Sequence, residues 1–82
     1  MRINVTADDI ANGVHKDCER CPVALAVKRA TGCVNCDVTA DTIYATGMPV
    51  FTTPRSVQEF IARFDREYPV QPFSFYLKGL KT

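Results

Sequence analysis

The sequence predicts an α+β domain in which two main helices pack on one face of a small, mostly antiparallel sheet. Short stretches in which apolar and polar residues alternate, such as residues 3–6, are typical of half-buried strands. Two longer segments, one of them residues 22–31, carry the residue types that begin and end helices. With 82 residues and no internal repeat or linker, residues 1–82 are expected to form one domain.

The segment from Pro22 to Thr31 predicts the helix around which the rest of the chain is organised. Pro22 suits the first helical position, where its missing N–H is no loss. Gly32 can take the left-handed conformation that ends a helix. The residues between them are mostly Ala, Val and Leu. A helix this apolar cannot lie on a surface, so the other elements must cover it.

The residues before this helix predict a strand, a short helix and a loop. Residues 3–6 alternate between apolar and polar, which is the pattern of a half-buried strand. Thr6 and Asp9 have the spacing of a capping box, which begins a short helix. That helix is expected to end at Asn12 and Gly13, and the polar residues 14–20 predict a loop.

The residues after the central helix predict three short strands. Residues 34–38 and 42–45 lie on either side of a turn and are expected to form a hairpin. Residues 50–52 predict a third extended piece. Because Pro49 cannot donate a ladder hydrogen bond, we expect this third piece at the edge of the sheet.

A second helix and a last strand complete the predicted fold. Thr53 is expected to cap the helix, with Pro54 at its first position and Pro69 ending it. An apolar stripe at helical spacing is expected to face the core, namely Val57, Phe60, Ile61 and Phe64. Residues 73–78 predict the last strand, a candidate neighbour of the first one.

The composition excludes several classes of partner. The net charge is +1 and no run of basic residues occurs, so nucleic acid is not an expected partner. No stretch approaches the roughly 18 apolar residues of a membrane helix, so no membrane partner is expected. The first residues lack the apolar core of a signal peptide. We therefore expect a reducing cytoplasm, in which cysteines are thiols or metal ligands.

The four cysteines have the spacing of a zinc site but not its expected geometry. They form two Cys-x-x-Cys pairs separated by eleven residues, Cys18 with Cys21 and Cys33 with Cys36. A helix between the pairs would hold Cys21 and Cys33 roughly 15 Å apart, too far for one tetrahedral zinc ion. Four-cysteine zinc binding therefore stays an alternative, and the first expectation is no metal and no cofactor.

Thiol chemistry is a second alternative. Cys21 lies at a helix N-terminus, where the helix dipole favours the thiolate, and His15 and Arg20 are near it in sequence. In thioredoxin-like sites, however, the first cysteine of the pair begins the helix, whereas here the second one does. The simpler interpretation is that Cys21 and Cys36 are small buried apolar residues and that Cys18 and Cys33 are loop thiols.

Several segments resemble a group of small uncharacterised proteins of bacteriophages and prophages, especially actinobacterial ones. The resemblance rests on residues 5–13, on Cys-Pro-Val-Ala-Leu-Ala at 21–26, and on residues 29–32, 60–65 and 70–75. It implies no activity and no catalytic residues. It does imply a phage-encoded protein in the host cytoplasm, a setting that favours binding to a host protein and disabling or redirecting it.

The first functional hypothesis is therefore a non-enzymatic protein that binds and modulates or inhibits a host protein, such as a defence or transcription component. The expected binding surface is loop 14–20 with the neighbouring acids, because these residues are polar and packing does not explain them. The candidate partner-binding residues are Asp8, Asp9, His15, Lys16, Asp17 and Arg20.

Overall fold

The structure, a computed structural model, describes residues 1–79. None of the helices in this part of the chain is long and apolar enough to cross a membrane. In chain order the elements are β1 (Arg2–Val5), α1 (Ala7–Asn12), α2 (Pro22–Thr31), β2 (Cys36–Val38), β3 (Thr42–Ala45), β4 (Phe51–Thr52), α3 (Arg55–Asp65), β5 (Phe73–Tyr76) and β6 (Lys78–Gly79).

The α+β class is confirmed, and the strands are divided between two antiparallel sheets. Strand β1 pairs with β5, with Ile3 opposite Phe75. The second sheet has the order β2-β3-β4-β6. The predicted hairpin is its first pair, in which Val38 lies opposite Ile43. Both sheets contribute buried residues to one hydrophobic core.

The predicted last strand, residues 73–78, passes from one sheet to the other. Its first part, β5, pairs with β1, which confirms that the first and last strands are neighbours. Its second part, β6, pairs with β4. Leu77 lies between the two parts, and its backbone N–H donates to the carbonyl of Met1 at 2.9 Å. One continuous segment therefore joins the two sheets.

Helix α2 has the predicted limits. Cys21 is the N-cap, and its Sγ accepts a hydrogen bond from the backbone N–H of Ala24 at 3.4 Å. Gly32 ends the helix with a φ of 74°, and its N–H donates to the carbonyl of Lys28. The helix contacts α1, β1, β2 and β3. Five of its ten residues are buried: Pro22, Val23, Ala24, Ala26 and Val27.

The predicted cap of α3 is wrong. The N-cap position belongs to Pro54, no side chain caps the helix, and the helix begins at Arg55. Thr53 is buried, and its Oγ1 donates to the carbonyl of Thr39 at 2.8 Å. Its hydroxyl therefore ties the start of α3 to the β2–β3 hairpin instead of satisfying the helix.

Two strand predictions also need correction. Val34 does not belong to β2, which begins at Cys36, and it is 80% exposed. Strand β4 is not an edge strand, because it pairs with β3 on one side and with β6 on the other. Pro49 precedes β4 and so does not interrupt its hydrogen bonds.

Aromatic rings join α3 to the two-stranded sheet. Phe60 and Phe64, both buried, have ring centroids 6.1 Å apart. Phe60 also contacts Phe73 at 4.8 Å, and Phe73 lies 5.9 Å from Phe75. Aromatic pairs at these separations stabilise beyond the area they bury. The predicted apolar stripe of α3 faces the core: Val57, Phe60 and Phe64 are buried, and Ile61 is partly buried against them.

The first testable prediction concerns this stripe. Phe64→Ala should lower the free energy of unfolding by about 3–5 kcal/mol, because it leaves a cavity in the core. Arg63→Ala, one residue earlier and exposed, should change it by less than about 0.5 kcal/mol. Thermal melts of both variants measure the difference. Equal melting temperatures for the two would contradict the assignment of Phe64 to the core.

Candidate functional site

Loop 14–20 connects α1 to α2, and its two ends meet. The backbone N–H of Val14 donates to the carbonyl of Arg20 at 2.8 Å. Gly13 precedes the loop and lies against Pro22, the first residue of α2. A Cβ at Gly13 would lie 2.6 Å from the ring carbons of Pro22, so a larger residue would push the loop away from the helix.

Hydrogen bonds from backbone N–H groups to two carboxylates hold the interior of the loop. Asp17 Oδ1 accepts from the backbone N–H groups of Glu19 (2.9 Å) and Arg20 (3.1 Å), which folds these residues into a turn. Lys16 has a φ of 60°, a left-handed conformation that is costly for a residue with a side chain. Its N–H donates to Asp65 Oδ1 of α3 at 2.8 Å, and this contact holds the strained backbone in place.

His15 anchors the loop to the core. Its ring stacks on Phe64, with centroids 4.1 Å apart and planes 6° from parallel. The imidazole is nevertheless exposed on its other side. Two successive loop residues, His15 and Lys16, are therefore attached to α3 at two successive residues, Phe64 and Asp65. No local pattern in the sequence predicts these contacts between the loop and α3, because the two residues of each contact are separated by 49 residues.

Four of the six predicted partner-binding residues lie together on this loop. His15, Lys16 and Arg20 are exposed, and Asp17 is half-buried because its carboxylate faces the loop backbone. Asp8 is also exposed, on the first turn of α1. The loop therefore presents charged side chains of both signs from a backbone that is fixed on its inner side.

The expectation that Asp9 is an exposed acid is wrong. Asp9 is 4% exposed and completes the predicted capping box with Thr6. Both of its carboxylate oxygens also accept from the guanidinium of Arg29, at 2.6 and 2.9 Å. One nitrogen of this guanidinium donates as well to the carbonyl of Asn4 at 2.8 Å. Asp9 thus joins β1, α1 and α2, and its carboxylate is not exposed for a partner to contact.

The second prediction concerns this ion pair. Burial raises the pKa of Asp9, but hydrogen bonds from Arg29 and Thr6 outweigh it and hold the pKa below its usual range. The ionised form therefore stabilises the fold above about pH 4, and this stability is lost as the pH falls through the lowered pKa. Asp9→Asn should cost about 2 kcal/mol at neutral pH.

Melting temperatures measured from pH 7 down to strong acid test this prediction. The gap between the parent protein and Asp9→Asn should shrink as the solution becomes more acidic than about pH 4. Asp8→Asn, which changes an exposed neighbour, is the matched control and should melt with the parent. A gap that does not depend on pH would show that the charge of Asp9 is not what stabilises the fold.

The cysteines are divided as the simpler interpretation predicted. Cys21 and Cys36 are buried, at 3% and 1% exposure, whereas Cys18 is exposed and Cys33 is half-buried. Burial raises the pKa of the Cys21 thiol and raises that of Cys36 to about 12. The expectation that the helix N-terminus favours a Cys21 thiolate is therefore wrong, because loss of hydration outweighs it.

The four cysteines of the alternative zinc site are not arranged around one metal ion. Within residues 1–79, no group of three or more His, Cys, Asp or Glu side chains is placed to hold a metal ion. Cys33 Sγ instead contacts the carbonyl of Thr46 at 3.1 Å, as a hydrogen-bond donor. Cys21 Sγ caps α2.

The third prediction follows from these contacts. A structural zinc ion supplies folding free energy, so its removal by a chelator unfolds the protein that depends on it. For this protein, excess chelator should change neither the circular dichroism spectrum nor the melting temperature. One zinc ion per chain by elemental analysis, lost together with the fold on chelation, would contradict this prediction.

A cleft lies beside loop 14–20. It has a volume of about 400 Å³ and lies between the end of β2 and α3. Its lining residues are Cys18, Val38, Thr39, Ala40, Gln58, Ile61, Ala62 and Asp65. A smaller hollow of about 250 Å³ shares Cys18 and Asp65 with it and reaches Cys21. Three separate segments form the walls, so no local pattern in the sequence could indicate the cleft.

Comparison with known proteins finds no match to this chain. No family model matches the chain, and no match was found among curated proteins or solved structures.

Proposed function

We propose that this protein acts by binding a host protein through loop 14–20, and that it modulates or inhibits that protein without catalysing a reaction. The observation that carries the proposal is the fixed conformation of an exposed, charged loop. Four hydrogen bonds donated by backbone N–H groups of the loop, one of them to Asp65 of α3, and the stack of His15 on Phe64 hold this loop in place. The charged ends of Lys16 and Arg20 are left exposed to meet a partner.

Order in the free protein matters for affinity. A partner that binds a flexible loop must also supply the free energy of ordering it, and that cost lowers the affinity. Here Asp17 and Asp65 hold the backbone before any partner arrives. The strained φ of Lys16 supports the same interpretation, because strained backbone concentrates at functional sites.

The mixed charge of the loop favours a protein over other partners. Lys16 and Arg20 are interspersed with Asp17 and Glu19, so the loop has no net charge. A phosphate backbone or an anionic lipid surface selects a concentration of positive charge, which this loop lacks. Alternating signs instead suit a protein surface with complementary charges, where they set specificity and association rate.

The host setting of the proposal is supported by the resemblance of residues 5–13 and 21–26 to small phage and prophage proteins. A protein of this kind would act in the cytoplasm of the infected cell. Defence and transcription components are the proposed classes of target.

The fourth prediction tests the loop as the binding surface. The immobilised protein should capture a partner from lysate of a bacterial host, and the partner is then purified for calorimetry. Lys16→Glu with Arg20→Glu should weaken the measured affinity about tenfold or more, because charge complementarity is reversed. The melting temperature should stay within a few degrees of the parent, since both side chains are exposed.

The matched control carries the same change of charge on another surface. Arg55→Glu with Arg63→Glu reverses two exposed cations of α3 and should bind the partner as the parent does. Equal weakening by both pairs would show a general effect of charge, and unchanged binding by the loop variant would place the surface elsewhere. Failure to capture any host protein with the parent would contradict the proposed function itself.

A further inference from the structure

We propose that Cys18 and Cys21 form a thiol modification site, at which a low-molecular-weight disulfide such as oxidised glutathione converts the pair to an intramolecular disulfide. The inference rests on the placement of the thiols and not on the proposed partner. It is carried by three features: the exposure of Cys18, its shared hollow with Cys21, and the restraint of the other two thiols.

Cys18 is the thiol that a small disulfide can reach. Of the four cysteines, all within the described residues, it alone is exposed. It lines both the cleft of about 400 Å³ and the adjoining hollow, so open space lies next to it. An accessible thiol is the group that begins exchange with an external disulfide.

Cys21 is in place to complete the disulfide. It follows Cys18 by three residues and lines the same hollow of about 250 Å³. The hydrogen bonds from Glu19 and Arg20 to Asp17 turn the chain within residues 17–20, so Cys18 lies inside this turn and Cys21 directly follows it. A disulfide requires Cα atoms within about 7 Å of each other, and residues three apart reach that separation where the chain turns between them. Burial is the main cause of the raised pKa of Cys21, and Asp65 and then Cys18 add to it.

The other two thiols are less available to an external reagent. Cys33 Sγ is hydrogen-bonded to the carbonyl of Thr46, and Cys36 is 1% exposed on the inner side of β2. Cys36 and Cys21 both belong to the hydrophobic core, and burial first and then Cys21 raise the pKa of Cys36. Because Cys33 and Cys36 are both less accessible than Cys18, the first attack on the external disulfide comes from Cys18.

The reaction consists of two exchanges. The Cys18 thiolate attacks one sulfur of the small disulfide, whose S–S bond breaks and releases one thiolate that takes a proton from water. Cys21 then loses its proton to water and attacks Cys18 Sγ, and the mixed S–S bond breaks to release the second thiol. Two protein thiols are oxidised by two electrons, and one small disulfide is reduced to two thiols.

The new bond would close the loop onto the start of α2. Cys18 lies within loop 14–20, and Cys21 is the N-cap of the central helix. Oxidation would therefore couple the redox state of the surroundings to the shape of the exposed loop. Reduction by excess small thiol would reverse the change.

Trypsin gives the Cys18–Cys21 pairing a product that no other pairing gives. Cleavage after Lys16, Arg20, Lys28, Arg29 and Arg55 separates Cys18 (peptide 17–20) from Cys21 (peptide 21–28), and leaves Cys33 and Cys36 together in peptide 30–55. The intact folded protein is treated with oxidised glutathione, its remaining thiols are blocked, and the non-reduced digest is analysed by mass spectrometry. The expected product is peptide 17–20 linked to peptide 21–28.

Three variants identify the steps. Cys18→Ser should lose both the linked product and any glutathione adduct at residue 18. Cys21→Ser should stop at the mixed disulfide and keep one glutathione on Cys18. Cys33→Ser, which removes the outer thiol of the second pair, is the matched control and should react as the parent does. Should Cys21→Ser fail to fold, as judged by circular dichroism, Cys21→Ala takes its place.

Three results would overturn the proposal. They are a dominant link from peptide 30–55 to peptide 21–28, a parent protein that accumulates unresolved glutathione on Cys18, and a folded parent that keeps all four thiols free. None of these results bears on partner capture, so the test is separate from that of the proposed function.

Discussion

The rest of the structure depends on covering helix α2. Its first two turns are buried, and only its last residues, with Lys28 and Arg29, are polar. A single small sheet covers one side of a helix, whereas α2 contacts strands of both sheets as well as α1. The division of a short chain into two small sheets follows from that requirement. At the polar end of α2, Arg29 makes a bidentate contact with Asp9 of α1 and donates to the carbonyl of Asn4 in β1. These bonds attach the end of the helix to both elements.

Features fixed by near neighbours in the chain could be predicted from the sequence, and features fixed by distant ones could not. The capping box of Thr6 and Asp9 and the limits of α2 depend on residues within a turn or two of each other. Thr53 has the right residue type for a cap, but its hydroxyl bonds a carbonyl 14 residues away. Asp9 suits an exposed first turn, yet its partner Arg29 lies 20 residues later.

The same distinction holds for the candidate site. The polar residues 14–20 predict an exposed loop, and four proposed partner-binding residues lie on it. The contacts that give it one conformation come from α3, and no spacing pattern connects His15 with Phe64 or Lys16 with Asp65. Because Phe64 belongs to both the core and this stack, loosening the core around α3 would also loosen the loop.

The passage of residues 73–79 from one sheet to the other has a consequence for folding during synthesis. Strand β1 is made first, but its pairing partner β5 and the outer strand β6 are among the last described residues to be made. The β1–β5 pair and the β4–β6 pair cannot form until those residues have left the ribosome, and pairing as distant as that of β1 with β5 is slow. Until then α2 keeps part of its apolar surface uncovered, which gives the nascent chain an interval in which chaperones or proteases can engage it.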